Sequence, residues 1–155
     1  MPGRIPPSTW GPFYWHTMHI TALGYPKEPS YAEKKAAKEF YESLTHLIPC
    51  PICRIHYADH LKEMPITPSL DTKEDLFRWT VNIHNAVNKD LGKPQVSELE
   101  AIAFYHKLGE LGRSPVWTPQ DMDAYQLASA VKFAGAAIVG ASVLGGLYYY
   151  FTRKD

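Results

Sequence analysis

From Phe133 to Phe151 the chain runs nineteen residues, FAGAAIVGASVLGGLYYYF, without a charge. Nothing else in the sequence restricts the fold as much. A helical rise of about 1.5 Å per residue carries such a run across roughly 28 Å, close to the roughly 30 Å hydrocarbon core of a bilayer. Tyr148, Tyr149 and Tyr150 fall where an interfacial aromatic belt would sit, with Arg153 and Lys154 just beyond. Residues 127–151 are therefore expected to form one transmembrane helix, with 152–155 as a short basic tail. Small residues four apart, such as Ala136 and Gly140, would let two such helices pack closely.

The rest of the chain must supply the working domain. Residues 111–126 read as a linker, with Gly112, Pro115 and Pro119 and no amphipathic period. Residues 1–110 suffice for one domain with its own core. There the apolar spacing is helical almost throughout. Ser8 or Thr9 is placed to cap a first helix to about Leu23. Ser30 and Glu33 form a capping box that opens a second, to about Leu47. Pro49 ends it, and Cys50 begins a third that reaches about Glu63. Thr72 caps a fourth that stops at Gly92-Lys93-Pro94, and Ser97 with Glu100 opens a fifth to about Leu108. No stretch alternates as a strand. The expected fold is all-α: a bundle of four or five helices followed by one membrane helix.

Lys+Arg and Asp+Glu both number 16. Setting aside Lys132, Arg153, Lys154 and Asp155 leaves 13 basic and 15 acidic residues, a mildly acidic body. Nucleic acid is not the expected partner, because phosphate binding needs a basic excess. The opening MPGRIPPSTW has no apolar segment, so no signal peptide is expected.

The only cysteines are Cys50 and Cys53, spaced C-x-x-C. Two cysteines do not make a disulfide scaffold; at this spacing they suit chemistry. At a helix start the first sulfur meets unpaired N–H groups and the positive end of the helix dipole, which favours its thiolate. The second sulfur, one turn on, can close a disulfide. A thioredoxin-like site would need flanking βαβ elements, and helices flank this one. A zinc site is an alternative: Cys50, Cys53, His56 and His60 read C-x2-C-x2-H-x3-H, although a longer loop usually separates the two ligand pairs. The third possibility is a dithiol working against an organic mediator, usually a flavin, that can pass electrons to oxygen. No G-x-G-x-x-G is present, so a Rossmann flavin site is not expected.

Four segments, in order, point to a family. Gly11-Pro-Phe-Tyr-Trp15-His-Thr-Met-His19 resembles the G-x-x-x-W-x-x-x-H opening of the Erv/ALR-type sulfhydryl oxidases. Tyr25-Pro26 resembles their Y-P, and Pro49 to Cys53 their proximal P-C-x-x-C. His84-Asn85-Ala-Val87-Asn88-Lys-Asp-Leu91-Gly92-Lys93-Pro94 is similar to their H-N-x-V-N-x-x-L-G-K-P. The resemblance covers about residues 10–95.

The resemblance implies a small helical bundle holding FAD, usually as a homodimer. It implies oxidation of protein dithiols to disulfides, with the electrons passed to molecular oxygen to give hydrogen peroxide. It assigns Gly11, Trp15 and His19 to the cofactor. His84, Asn85 and Asn88 fall on its adenosine and pyrophosphate side, with Val87, Leu91 and Lys93 nearby. Cys53 would lie against the flavin ring and Cys50 would exchange with incoming dithiols. A C-terminal aromatic of the family would correspond to Trp117 or Tyr105.

Two departures stand out. The family commonly has a structural disulfide bracketing the H-N and L-G-K-P motifs. Here Val81-Asn82-Ile83 and Gln95-Val96-Ser97-Glu98 hold no cysteine, so packing must replace the staple. Many members also carry a shuttle C-x-x-C, and a third cysteine is absent here. Cys50 is then expected to exchange directly with a client dithiol or a thioredoxin-like relay. Such a minimal, anchored member looks most like those of large DNA viruses. The expected placement is a single-pass protein whose catalytic body faces the cytosol on an internal or virion membrane. Other readings are a membrane-anchored zinc adaptor and a noncatalytic scaffold of the same fold.

Overall fold

The computed structural model describes residues 5–112 and 119–153. Among them no strand occurs, as expected. The chain forms two units, described separately.

The first unit holds five α-helices: α1 (Pro7–Leu23), α2 (Tyr31–Leu47), α3 (Pro51–Glu63), α4 (Lys73–Asp90) and α5 (Glu98–Leu111), with a 3₁₀ turn at Thr67–Ser69. The capping boxes Ser30/Glu33 and Ser97/Glu100 both form, and the Thr72 side chain caps α4 by accepting from the Asp75 N–H. Two ends differ from the expected ones. α1 starts at Pro7 with Pro6 as N-cap, ahead of Ser8 and Thr9. Proline is well suited to the first helical position, where its missing N–H costs nothing. α5 runs on to Leu111, past Leu108, because Gly109 does not interrupt it and Gly112 supplies the left-handed cap at φ 60°. α4 also ends on a left-handed glycine. Gly92 sits at φ 64°, and the Lys93 N–H returns to the Asn88 carbonyl at 2.8 Å.

The core lies where α1, α2 and α4 meet, with Met18, Ala22, Tyr41, Leu44, Leu76, Phe77 and Ile83 buried. Its aromatic residues bring polar tips, and each tip finds a backbone carbonyl. Tyr57 on α3 donates to Tyr41 O (3.1 Å), and Tyr41 on α2 donates to Met18 O (2.8 Å) on α1. Tyr25 donates to Leu70 O and Trp79 to Met64 O. These bonds remove the cost of burying phenol and indole groups and tie neighbouring elements together. Burial drives the hydroxyl pKa of Tyr41 and Tyr57 upward, so both stay neutral donors.

The second unit is the helix α6 (Pro119–Thr152). Its stretch Ala130–Thr152 has 23 residues and a mean hydropathy of 1.7, long and apolar enough to cross a membrane. Phe133, Ile138, Val139, Val143 and Leu144 are all exposed.

Candidate active site

Cys50 and Cys53 are joined in a disulfide, with Cα atoms 5.2 Å apart. The sequence forces the position. Ile48 and Pro49 end α2, Cys50 is the N-cap of α3, and Pro51 takes its first helical position. The Cys53 N–H donates to Cys50 Sγ at 3.3 Å, so one of the helix's unpaired N–H groups is aimed at that sulfur. Two side chains fix the turn leading in: Tyr14 on α1 donates to Leu47 O (3.1 Å), and Arg54 Nε donates to Ile48 O (2.5 Å). Both cysteines are half-buried against the core, while Leu47, Ile52 and Ile55 around them are exposed.

The zinc alternative fails on this geometry. The two sulfurs are bonded to each other. His56 is exposed, and the buried His60 places Nε2 2.9 Å from Asp90 Oδ2, an approach too oblique for a hydrogen bond. Among the described residues no three potential metal ligands cluster.

A second group gathers between α1 and α4. The Trp15 and His84 rings stack at 4.0 Å with planes 7° apart. His19, one turn from Trp15, places Nε2 3.1 Å from His84 Nδ1 and Nδ1 2.9 Å from Thr80 Oγ1. Burial, reinforced by the His84 and His16 rings, pushes the His19 pKa down to about 3. Burial, with His16 and Lys93 nearby, pushes His84 down to about 4. Both imidazoles are therefore neutral near pH 7. Tyr105 on α5 closes the cluster, its ring 5.8 Å from His19 and its hydroxyl 2.8 Å from His16 Nδ1. Of the two aromatics considered for this part, Trp117 lies outside the described residues.

These side chains fit a dinucleotide such as FAD by the chemistry they offer. Trp15 presents a flat ring. The amide of Asn88, 9% exposed, makes no hydrogen bond among the described residues. At the other end, the buried indole N–H of Trp10, edge-on to Tyr14, likewise has no partner among them. Both groups are open to a partner from outside the chain. Gly11 is half-buried, and no atom of the chain stands within 4 Å of where its Cβ would be, so internal packing does not demand a glycine there. Val87 is half-buried; Leu91 and Lys93 are exposed at the end of α4.

Asn85 is occupied otherwise. Its Nδ2 donates to Val96 O at 2.7 Å and its Oδ1 accepts from Val96 N–H at 3.0 Å, while Arg78 bridges Asp75 and Glu98, at 2.9 Å each. Thr80, His16 and Asn85's clamp were not singled out by the motifs. The available signal was the i, i+4 spacing that puts Thr80 on the His84 face of α4.

The Erv1 / Alr family matches over residues 12–106. A probable FAD-linked sulfhydryl oxidase of Acanthamoeba polyphaga mimivirus is 41% identical over 102 residues, spanning 65% of this chain and 71% of that protein. A FAD-linked sulfhydryl oxidase of African swine fever virus is 35% identical over 98 residues, 63% of this chain and 81% of that one. The crystal structure of the FAD binding domain of Erv1 from Saccharomyces cerevisiae superposes with a TM-score of 0.60 at 28% identity, covering 71% of this chain and 99% of that domain.

Proposed function

The chain belongs to the Erv1 / Alr family, and on that footing we propose how its residues divide the work of a FAD-linked sulfhydryl oxidase. The enzyme oxidises protein dithiols to disulfides, with FAD as cofactor and oxygen as acceptor. The observation that carries the assignment is the Cys50–Cys53 disulfide closed at the positive end of α3.

A client thiolate attacks Cys50 Sγ, the bond to Cys53 breaks, and Cys53 leaves as a thiolate. The client's second thiolate attacks the mixed disulfide, forming the client disulfide and releasing Cys50. Two electrons have then passed from the client to the cysteine pair. The departing charge on Cys50 is met by the Cys53 N–H and the helix dipole. Bound FAD supplies the two-electron acceptor that restores the disulfide and returns the electrons to molecular oxygen, giving hydrogen peroxide.

Cys53 is assigned to the flavin side. Trp15, His19, His84 and Asn88 are assigned to the adenosine half, with Gly11, Val87 and Leu91 beside them and Lys93 toward the pyrophosphate. The partnerless Asn88 amide and the stacked Trp15–His84 pair support this placement. Asn85 serves the same end by holding the chain beyond α4 in place. The client is a protein dithiol or a thioredoxin-like relay, since the pair is the chain's only one.

α6 is assigned as the membrane anchor, with the catalytic body on the cytosolic side of an internal or virion membrane. Its uncharged, exposed run and the viral sources of the relatives support this. A homodimer belongs to the same proposal, supported by the exposed Phe13 and Ile20 on α1 and Leu99 and Phe104 on α5. Light scattering of the detergent-solubilised chain checks it, and a monomer would overturn it.

The full chain purified in detergent should be yellow, release FAD on denaturation and consume oxygen with dithiothreitol. A colourless protein, or a yellow one that leaves oxygen untouched, would sink the assignment.

A further inference from the structure

Thr80 is fully buried on α4, four residues before His84. Its hydroxyl has one proton, and two groups stand at hydrogen-bond distance: Phe77 O at 2.7 Å and His19 Nδ1 at 2.9 Å. A carbonyl can only accept. The Thr80 proton must go to Phe77 O, since two oxygen lone pairs would otherwise face each other at 2.7 Å. Thr80 Oγ1 is then left as an acceptor, so His19 Nδ1 must carry a hydrogen.

The direction propagates. A neutral His19 protonated on Nδ1 has a bare lone pair on Nε2. His84 Nδ1, 3.1 Å away, must therefore bring the hydrogen to that contact. A neutral His84 protonated on Nδ1 has its own lone pair on Nε2. Trp15, stacked 7° from coplanar with the His84 ring, holds the plane in which that lone pair points. Burial keeps both rings neutral near pH 7, which removes the alternative in which an imidazolium donates from both nitrogens.

We propose that Thr80 is a positioning residue that sets the direction of the relay Phe77–Thr80–His19–His84, so that His84 presents Nε2 solely as an acceptor. Resting on the placement of the adenosine half of FAD beside His84, its target is an N–H or O–H donor on that half, the adenine amine or a ribose hydroxyl. Without the Thr80 oxygen the relay has no fixed sense. His19 is free to carry its proton on Nε2, His84 then accepts at Nδ1, and its Nε2 becomes a donor that opposes the ligand's donor.

Long-range 1H–15N correlation spectra of the isotope-labelled full chain, in detergent near pH 7, read the tautomers directly. Wild-type protein should show His19 and His84 both protonated on Nδ1. Thr80→Val, which keeps the shape and removes the oxygen, should move one or both rings to the Nε2–H form and weaken FAD binding roughly tenfold. Thr80→Ser should restore both readouts. A wild-type His84 protonated on Nε2 overturns the proposal without needing any variant to fold. So does a folded Thr80→Val protein with unchanged tautomers. AMP competing for FAD better than IMP identifies the adenine amine as the donor; equal competition identifies the ribose. A colourless wild-type protein with the stated tautomers would instead count against FAD binding, leaving the relay intact.

Discussion

Asn85 brackets the backbone of Val96, donating to its carbonyl at 2.7 Å and accepting from its N–H at 3.0 Å. With Arg78 bridging Asp75 and Glu98, this joins α4 to the start of α5. The cysteine-free stretch Val81-Asn82-Ile83 lies between Arg78 and Asn85 on α4, and the amide and the guanidinium tie that part of α4 to Val96 and Glu98. Asn85→Ala should cost about 1–2 kcal/mol in urea denaturation, the loss of two partly exposed bonds. Flavin content should fall less than in His84→Ala. An Asn85→Ala protein of unchanged stability that has lost its flavin would make Asn85 a cofactor ligand instead.

Cys53→Ser should abolish oxygen uptake with dithiothreitol. Cys50→Ser should do the same while the protein stays yellow, because Cys50 is the sulfur assigned to the client and Cys53 the one assigned to the flavin. An oxygen electrode and an absorbance spectrum on the two variants check this. Full turnover in either variant would remove the disulfide from the pathway.

Acid should destabilise the fold through its buried imidazoles. His19 and His84 have folded pKa values of about 3 and about 4, below their ordinary 6.5. Below about pH 6.5 the unfolded chain therefore takes up protons that the folded chain refuses. The stability these groups contribute is complete above about pH 6.5 and declines as pH falls toward the folded values. Each adds up to about 1.4 kcal/mol of loss per pH unit in that window. Urea midpoints between about pH 7 and about pH 5 should drop in the wild type and drop less in a His19→Gln/His84→Gln protein. Equal slopes would refute the assignment.

Gly92→Ala should cost about 1 kcal/mol, because φ 64° is a left-handed conformation and no neighbour stands within 4 Å to clash. The cost is conformational alone, so Gly92→Asn should recover part of it. Thermal melts of the pair provide the comparison.

Membranes from cells making the full chain should keep it through an alkaline carbonate wash, as expected for a 23-residue apolar helix. Protease treatment of intact vesicles then tests which side carries the catalytic body: a body on the cytosolic face is digested, and a protected one reverses the orientation.

Much of this was legible in the sequence because the signals are local. Ser30 with Glu33, Ser97 with Glu100, and Thr72 by itself each mark a helix start, and all three caps form. Pro49 and Pro51 fix where Cys50 must sit. The i, i+4 spacing of Trp15 and His19 put both on one face of α1. What spacing could not reveal is what meets that face. The His19–Thr80 bond joins positions 61 apart, and the Asn85–Val96 clamp joins positions 11 apart that no helical spacing pairs. His56 and His60 illustrate the opposite failure: ligand-like spacing along one helix did not survive the direction His60 takes toward α4.

The Tyr57–Tyr41–Met18 ladder fastens α3 to α2 and α2 to α1 through interior phenols. The helix bearing the sulfurs and the helix bearing Trp15 thus belong to one stiff chassis. Leu47, Ile52 and Ile55 stand exposed around the cysteines and take no part in these bonds, so substitutions there leave the ladder that joins the three helices intact.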